Sequence, residues 1–309
     1  MKIVFMGTPH PAVASLGRIM RDGHDVVAVY TQPDRPAGRG NKITISPVKR
    51  FAIDHDLPVY QPTKVKTAEA LEEFRSHGAD VAVVVAYGRI LPANVIESFP
   101  MGAINVHFSL LPKFRGAAPV NWAIVHGEEK TGVTTMQMDA GLDTGPILMQ
   151  SETEIGENET AVELMARLAA EGAELLSKTL ANYPTLKPMP QDETQASLAP
   201  LMKKEDGLIS WMLNAHDIAN RVRGFQPFPT SFTYFREKKF TLWRSRVVDT
   251  PHTSLQPGEI IEASGDRLVV FCGGDSALQI EELQLEGKRR VSARDFMNGV
   301  HPQVGDRLG

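Results

Sequence analysis

The chain has 309 residues, 42% hydrophobic and 23% charged, with a formal net charge of −4. That composition belongs to a folded protein with a sizeable core and excludes a disordered or collagen-like chain, or one that coats nucleic acid through bulk positive charge. A single cysteine, Cys272, excludes an intramolecular disulfide and a cysteine-based zinc cluster, and fits a reducing compartment.

At roughly 100–200 residues per domain the length suggests two domains. The amino end, Met1 to Met6 followed by Gly7-Thr8-Pro9, has too short an apolar run for a signal peptide. The longest apolar stretch elsewhere, Val81 to Ala86, is far below the ~20 residues of a spanning helix. A cytoplasmic protein without membrane association is expected.

In chain order, runs rich in Val and Ile at 2–6, 25–31, 80–86 and 103–106 alternate with helical spacing at 13–21 and 68–75. Near-continuous apolar strands alternating with helices predict an α/β domain, a parallel sheet covered on both faces, with active residues at strand carboxyl ends. Further strands are expected at 132–138 and 147–152, then a long helix over 160–183 with Val162, Met165, Leu168, Leu175 and Leu176 on its apolar face. Pro184, Pro188, Pro190 and Pro200 then interrupt the pattern as a connector does. Beyond it the spacing predicts a helix over 215–223 and short strands at 231–235, 240–248, 258–261, 267–271 and 277–285, a small β-barrel or sandwich. The expected division is 1–189, a linker 190–206, and 207–309. Residues 203–309 hold 15 Lys/Arg against 14 Asp/Glu, a balance that suits a polyanion-binding domain and an ordinary mixed surface alike.

The densest polar constellation is Asn105-Val106-His107-Phe108-Ser109-Leu110-Leu111-Pro112, directly after an expected buried strand. Residues two apart on a strand share a face, so an amide donor would stand beside an imidazole. An amide steadies an oxyanion and a histidine moves protons near neutral pH. A histidine ending a strand also commonly serves as a hydrogen-bonded structural residue. In Asp139-Ala140-Gly141-Leu142-Asp143-Thr144-Gly145 the glycines mark tight turns, and Asp143 is suited either to orient His107 or to cap its own loop. The Pro/Gly-rich segment 31–42 carries Arg35, Arg39 and Lys42, a set suited to phosphate contact or to a solvated loop. The turn Gly7-Thr8-Pro9 stands where a dinucleotide-binding fold shows G-x-G-x-x-G, and neither a Walker sequence nor H-E-x-x-H occurs. That weighs against a nicotinamide dehydrogenase, a nucleotide-hydrolysing switch and a metal site.

These residues resemble the folate-dependent formyltransferases, and within them the branch acting on methionyl-tRNA. The resemblance is carried by Asn105-Val106-His107 with Ser109-Leu110-Leu111-Pro112, by Arg115-Gly116-Ala117-Ala118-Pro119 and by Gly141-Leu142-Asp143-Thr144-Gly145. Gln32-Pro33-Asp34-Arg35-Pro36-Ala37-Gly38-Arg39-Gly40 and Val84-Val85-Ala86-Tyr87-Gly88 add to it, and it runs essentially end to end. It implies a Rossmann-like catalytic domain followed by an OB-like barrel that holds tRNA, in a monomer with no obligate protein partner.

The implied reaction moves a formyl group from 10-formyltetrahydrofolate to the free amine of methionyl-initiator tRNA, without a metal, using Asn105, His107 and Asp143. The resemblance places folate along Val85, Ala86, Tyr87, Arg89, Ile90 and Leu91, along Ser109, Leu110, Leu111 and Pro112, and along Asp139, Ala140, Gly141 and Leu142. It places tRNA against Arg35, Arg39 and Lys42, the linker residues Lys203 and Lys204, and Arg221, Arg223, Lys238, Lys239, Arg244 and Arg246. A formyltransferase for a small amine or sugar nucleotide, and a formyltetrahydrofolate hydrolase, would share the three catalytic residue types. His10-Pro11 and Ser210 depart from the family pattern, at the start of the first helix and at the domain junction.

Overall fold

The computed structural model describes residues 1–37, 42–250 and 255–309. Two compact units are formed, one from Met1–Pro119, Lys130–Glu154 and Met165–Ala199, the other from Val120–Glu129, Ile155–Leu164 and Pro200–Gly309. The division therefore crosses the chain in several places, and residues 190–199 of the expected linker belong to the first unit. Proline blocks a helix there but leaves extended backbone free to pair. Leu198–Ala199 accordingly runs parallel to Arg115–Gly116, with Arg115 N donating to Ser197 O (2.8 Å) and Ala117 N to Ala199 O (2.8 Å).

In the first unit seven strands form one sheet in the order Ile147–Glu154, Lys130–Gln137, Ala103–His107, Val81–Val85, Lys2–Gly7, Asp25–Tyr30 and Val59–Tyr60. The last five of these are parallel to one another, and all residues of Val81–Val85 are buried, as a strand covered on both faces requires. The strands expected at 132–138 and 147–152 join this parallel set antiparallel: Lys130–Gln137 runs against Ala103–His107, and Ile147–Glu154 against Lys130–Gln137. The segment 138–146 that joins them is shorter than the dozen or so residues a parallel crossover takes, so the chain returns as a wide hairpin.

Helices cover the sheet where periodicity predicts them, at His10–Arg21, Ala68–Ser76 and Ala161–Asn182. Pro11 falls in the first turn of its helix, where a missing N–H costs nothing. A helix and a hairpin are among the elements that escaped the periodic pattern. The helix Pro47–Asp54 starts on a proline that reads as a breaker yet occupies the first helical turn, behind a Ser46 cap that accepts from Lys49 N at 3.0 Å. The hairpin of Arg35–Ala37 with Lys42–Thr44 lies in the Pro/Gly-rich segment. Arg39 lies outside the described residues, and so does the side chain of Lys42.

The second unit is an antiparallel sheet in the order Ser231–Phe235, Lys238–Val248, Ser276–Leu285, Arg267–Cys272 and Ile260–Ser264, with Val291–Ser292 added on Ser276–Leu285. The five expected strands are present, the third shifted toward 264. Ala215–Gly224 and Ala293–Val300 contribute Ile218, Val222 and Phe296 to a core with Phe240, Leu242, Ile280 and Leu283. Cys272 is fully buried there, which pushes its thiol up to about 12. Among the described residues no helix is long and apolar enough to cross a membrane, and no group of three His, Cys, Asp or Glu side chains is placed to hold a metal ion.

Candidate active site

Asn105 and His107 close the strand Ala103–His107 and turn to the same face of the sheet. The neighbouring strand ends at Gln137, opposite Ile104, and its loop folds back so that Asp143 meets both side chains. Asp143 Oδ1 accepts from Asn105 Nδ2 at 3.4 Å, and Oδ2 accepts from Gly116 N at 2.8 Å. His107 Nδ1 stands 3.6 Å from Oδ2. That is long for a hydrogen bond, as catalytic pairs often are before substrate tightens them. His107 is 5% exposed, and its Nε2 lies 2.9 Å from Phe114 O. A carbonyl only accepts, so Nε2 carries hydrogen and Nδ1 is the ring atom turned to the carboxylate.

Close approach shapes the carboxylate loop. A Cβ on Gly145 would stand 1.8 Å from Gln137 O, and one on Gly141 would stand 1.9 Å from Thr144 Oγ1. Asp139, not Asp143, stabilises the turn: it accepts from Gly141 N (2.9 Å) and Thr144 Oγ1 (2.8 Å). This leaves Asp143 to face Asn105 and His107. Ala86, Phe114 and Asp143 all have left-handed backbone, with φ of +46°, +60° and +54°. Such residues cost about 1–3 kcal/mol each and persist where the surroundings over-determine them, typically at functional sites.

The residues expected to hold folate divide by burial. Val85, Tyr87, Leu91, Ser109 and Leu111 are buried. Leu91 and Tyr87 pack in the core, and burial pushes the Tyr87 phenol up to about 12, its hydroxyl having no hydrogen-bond partner. Ser109 donates to Lys113 O (2.6 Å), and Leu111 N to Thr134 Oγ1 (3.1 Å), which ties this turn to the sheet. Ala86, Ile90, Asp139, Ala140, Gly141 and Leu142 are exposed, while Leu110, Pro112 and Arg89 are half-buried. Arg89 is braced by Gln32 Oε1 (3.2 Å) and Thr63 O (2.7 Å). With Ile90 it lines a cavity of about 400 Å³ whose other walls are Lys64, Val65, Lys66 and Thr67. No motif marked Lys64 or Lys66, because they sit between elements at no periodic spacing.

Of the residues expected to meet tRNA, Arg35, Lys203, Lys204 and Lys238 are exposed. Lys239 lies over the Phe232 ring at 4.1 Å, and Arg221 over the Phe225 ring at 5.7 Å. Arg244 and Arg246 share one carboxylate, Glu281, at 3.2 and 3.4 Å. The Arg223 guanidinium donates to Gly156 O, Glu159 O and Asn220 Oδ1. These acceptors make it a brace for the 156–159 segment.

Two family profiles match, Formyl transferase over residues 1–180 and Formyl transferase, C-terminal domain, over 201–301. Curated proteins named methionyl-tRNA formyltransferase from Solibacter usitatus (strain Ellin6076) and Koribacter versatilis (strain Ellin345) are each 50% identical to this chain, across 100% of it and 99% of their own length. Among solved structures, the N-formyltransferase from Helicobacter canadensis, in complex with folinic acid and dTDP-3-aminofucose, shares the fold with a TM-score of 0.68. Its identity is 20%, over 91% of this chain and 98% of that one. On the two profiles and the full-length identity, the chain belongs to the formyl transferase family, among the relatives that bear the name methionyl-tRNA formyltransferase.

Proposed function

We propose that the protein transfers the formyl group of 10-formyltetrahydrofolate to the free amine of methionyl-initiator tRNA. The observation that carries this reading is the single carboxylate of Asp143 set against both Asn105 and His107, in a chain half identical over its full length to proteins bearing that name. The amine nitrogen attacks the formyl carbon, and the carbonyl oxygen becomes an oxyanion. The Asn105 amide has a second hydrogen to offer it, and His107, anchored through Nε2–H on Phe114 O, offers Nδ1–H as the protonated imidazolium. Asp143 accepts the proton that the amine loses, and the proton passes to the folate nitrogen as the carbon–nitrogen bond to folate breaks. Atoms and charge balance with no metal and no covalent enzyme intermediate.

The cavity beside Arg89 and Ile90 suits the outer half of the co-substrate, an aromatic ring ending in carboxylates. Val65 and Ile90 supply apolar contact, and Lys64, Lys66 and Arg89 supply cations. Replacing Lys64 and Lys66 together by alanine is expected to raise KM for the folate about tenfold while kcat stays near wild type, because the contact is equal in ground and transition states. Steady-state titration of the folate checks this.

In the second unit the exposed Lys203, Lys204 and Lys238 are the proposed phosphate contacts of the tRNA. Its affinity is expected to fall linearly on a plot of log K against log salt. Replacing Lys203 and Lys204 by alanine should lower that slope by about 1 per lysine if both meet phosphates. Filter binding across a salt series measures it. The function itself is tested by incubating the protein with 10-formyltetrahydrofolate and methionyl-initiator tRNA, beside free methionine and a His107→Ala control. Formylation confined to the charged tRNA and lost in the variant supports the reading; formate release or formylation of a small amine overturns it.

A further inference from the structure

Gln191 stands in the segment whose prolines read as a linker, yet its side-chain amide is fully engaged. Nε2 donates to Asp143 O at 2.9 Å and to Gly145 O at 2.7 Å. Oε1 accepts from Arg115 Nε at 3.0 Å and from Arg115 Nη2 at 2.7 Å. A guanidinium only donates and a carbonyl only accepts, so these partners determine which way the amide faces. On its other side Arg115 is gripped by both oxygens of Glu193 at 2.8 Å, and Arg115 itself is 5% exposed.

Arg115 lies between the two backbone groups that touch the site. Phe114 O receives His107 Nε2, and Gly116 N donates to Asp143 Oδ2. The contacts therefore close a ring: His107 to residues 114–116, through the Arg115 side chain to Gln191, to the 143–145 turn, and back through Asp143. Phe114 and Asp143, both left-handed, are members of this ring. Cutting it at Gln191 removes the side-chain clamp and leaves the turn tied to the 114–116 segment through Gly116 N and Asp143 Oδ2.

We propose that Gln191 is a positioning residue of the active site, holding the Asp143 turn in register with His107 by clamping it to Arg115. This rests on the reading of His107 and Asp143 as the reacting pair. The chemistry requires an amide: a glutamate in its place would keep Arg115 but set an anion against two carbonyl oxygens, where nothing donates.

The test compares Gln191→Glu, Gln191→Met and Gln191→Asn with the intact enzyme, measuring kcat and KM for both substrates, the pH profile of kcat, and the thermal midpoint by circular dichroism. The expected result is a kcat lowered about tenfold to a hundredfold in the Glu and Met variants, since misplacement by an ångström has effects of that size. Both KM values should stay within about twofold. The pH profile of kcat should be displaced, and Gln191→Asn, which keeps the amide on a shorter arm, should recover part of the rate. Folded variants with wild-type kcat and pH profile overturn the proposal, as does a change in KM alone. Loss of fold in all three variants overturns it too, because the contacts would then serve the fold only. His107→Ala in the same assay separates the two readings: full turnover there removes the catalytic assignment itself, whatever Gln191 does.

Discussion

Asn105→Ala is expected to lower kcat for formyl transfer about a hundredfold to a thousandfold with little change in either KM. An oxyanion donor acts only as charge develops, so its loss is felt in the transition state, at roughly 3–4 kcal/mol. The fold should survive, because Asn105 is half-buried and its contact to Asp143, at 3.4 Å, is the weaker of that carboxylate's two hydrogen bonds. Single-turnover rates with saturating folate and charged tRNA measure the effect on chemistry alone. A drop confined to KM, with kcat preserved, would remove Asn105 from the chemical step.

Asp143→Asn should cost at least as much, on the order of a thousandfold in kcat, although it changes one atom. Asp143 accepts from Gly116 N and from Asn105 Nδ2 through its two oxygens. An amide has one accepting oxygen, so whichever way it turns, its own NH2 meets a donor. If the oxygen stays on Gly116, the NH2 faces Asn105 and turns that side chain away; if it flips, the backbone of the 114–116 segment loses its partner. The proton acceptor for the attacking amine is lost in either orientation. Kinetics of the folded variant, checked by circular dichroism, decide it, and turnover within about tenfold of wild type would be incompatible with the proposed proton path.

Much of the fold is legible before any coordinates. Burial of one or both faces imposes periods of 2 and 3.6 on the chain, and those periods mark 2–6, 103–106, 160–183 and 277–285 closely. Where they fail, the reason is local. Pro47 reads as a stop but occupies a first helical turn, and the prolines around 184–200 read as a free connector although extended backbone there pairs with Arg115–Gly116. The acceptors that brace Arg223, 64 and 67 residues away, leave no mark in the local pattern.

The same contrast divides the site. That Asn105 and His107 share a face follows from sequence alone, since alternation along a strand is a property of the backbone. Only the tertiary structure brings Asp143 to Asn105 from 38 residues away, gives Asp139 the turn-stabilising role that the sequence leaves open to Asp143, and carries Gln191 back 48 residues to Asp143. Local pattern records which face of an element is buried. Partners joined by hydrogen bonds across long loops leave no periodic trace, and the chain must fold before their geometry exists.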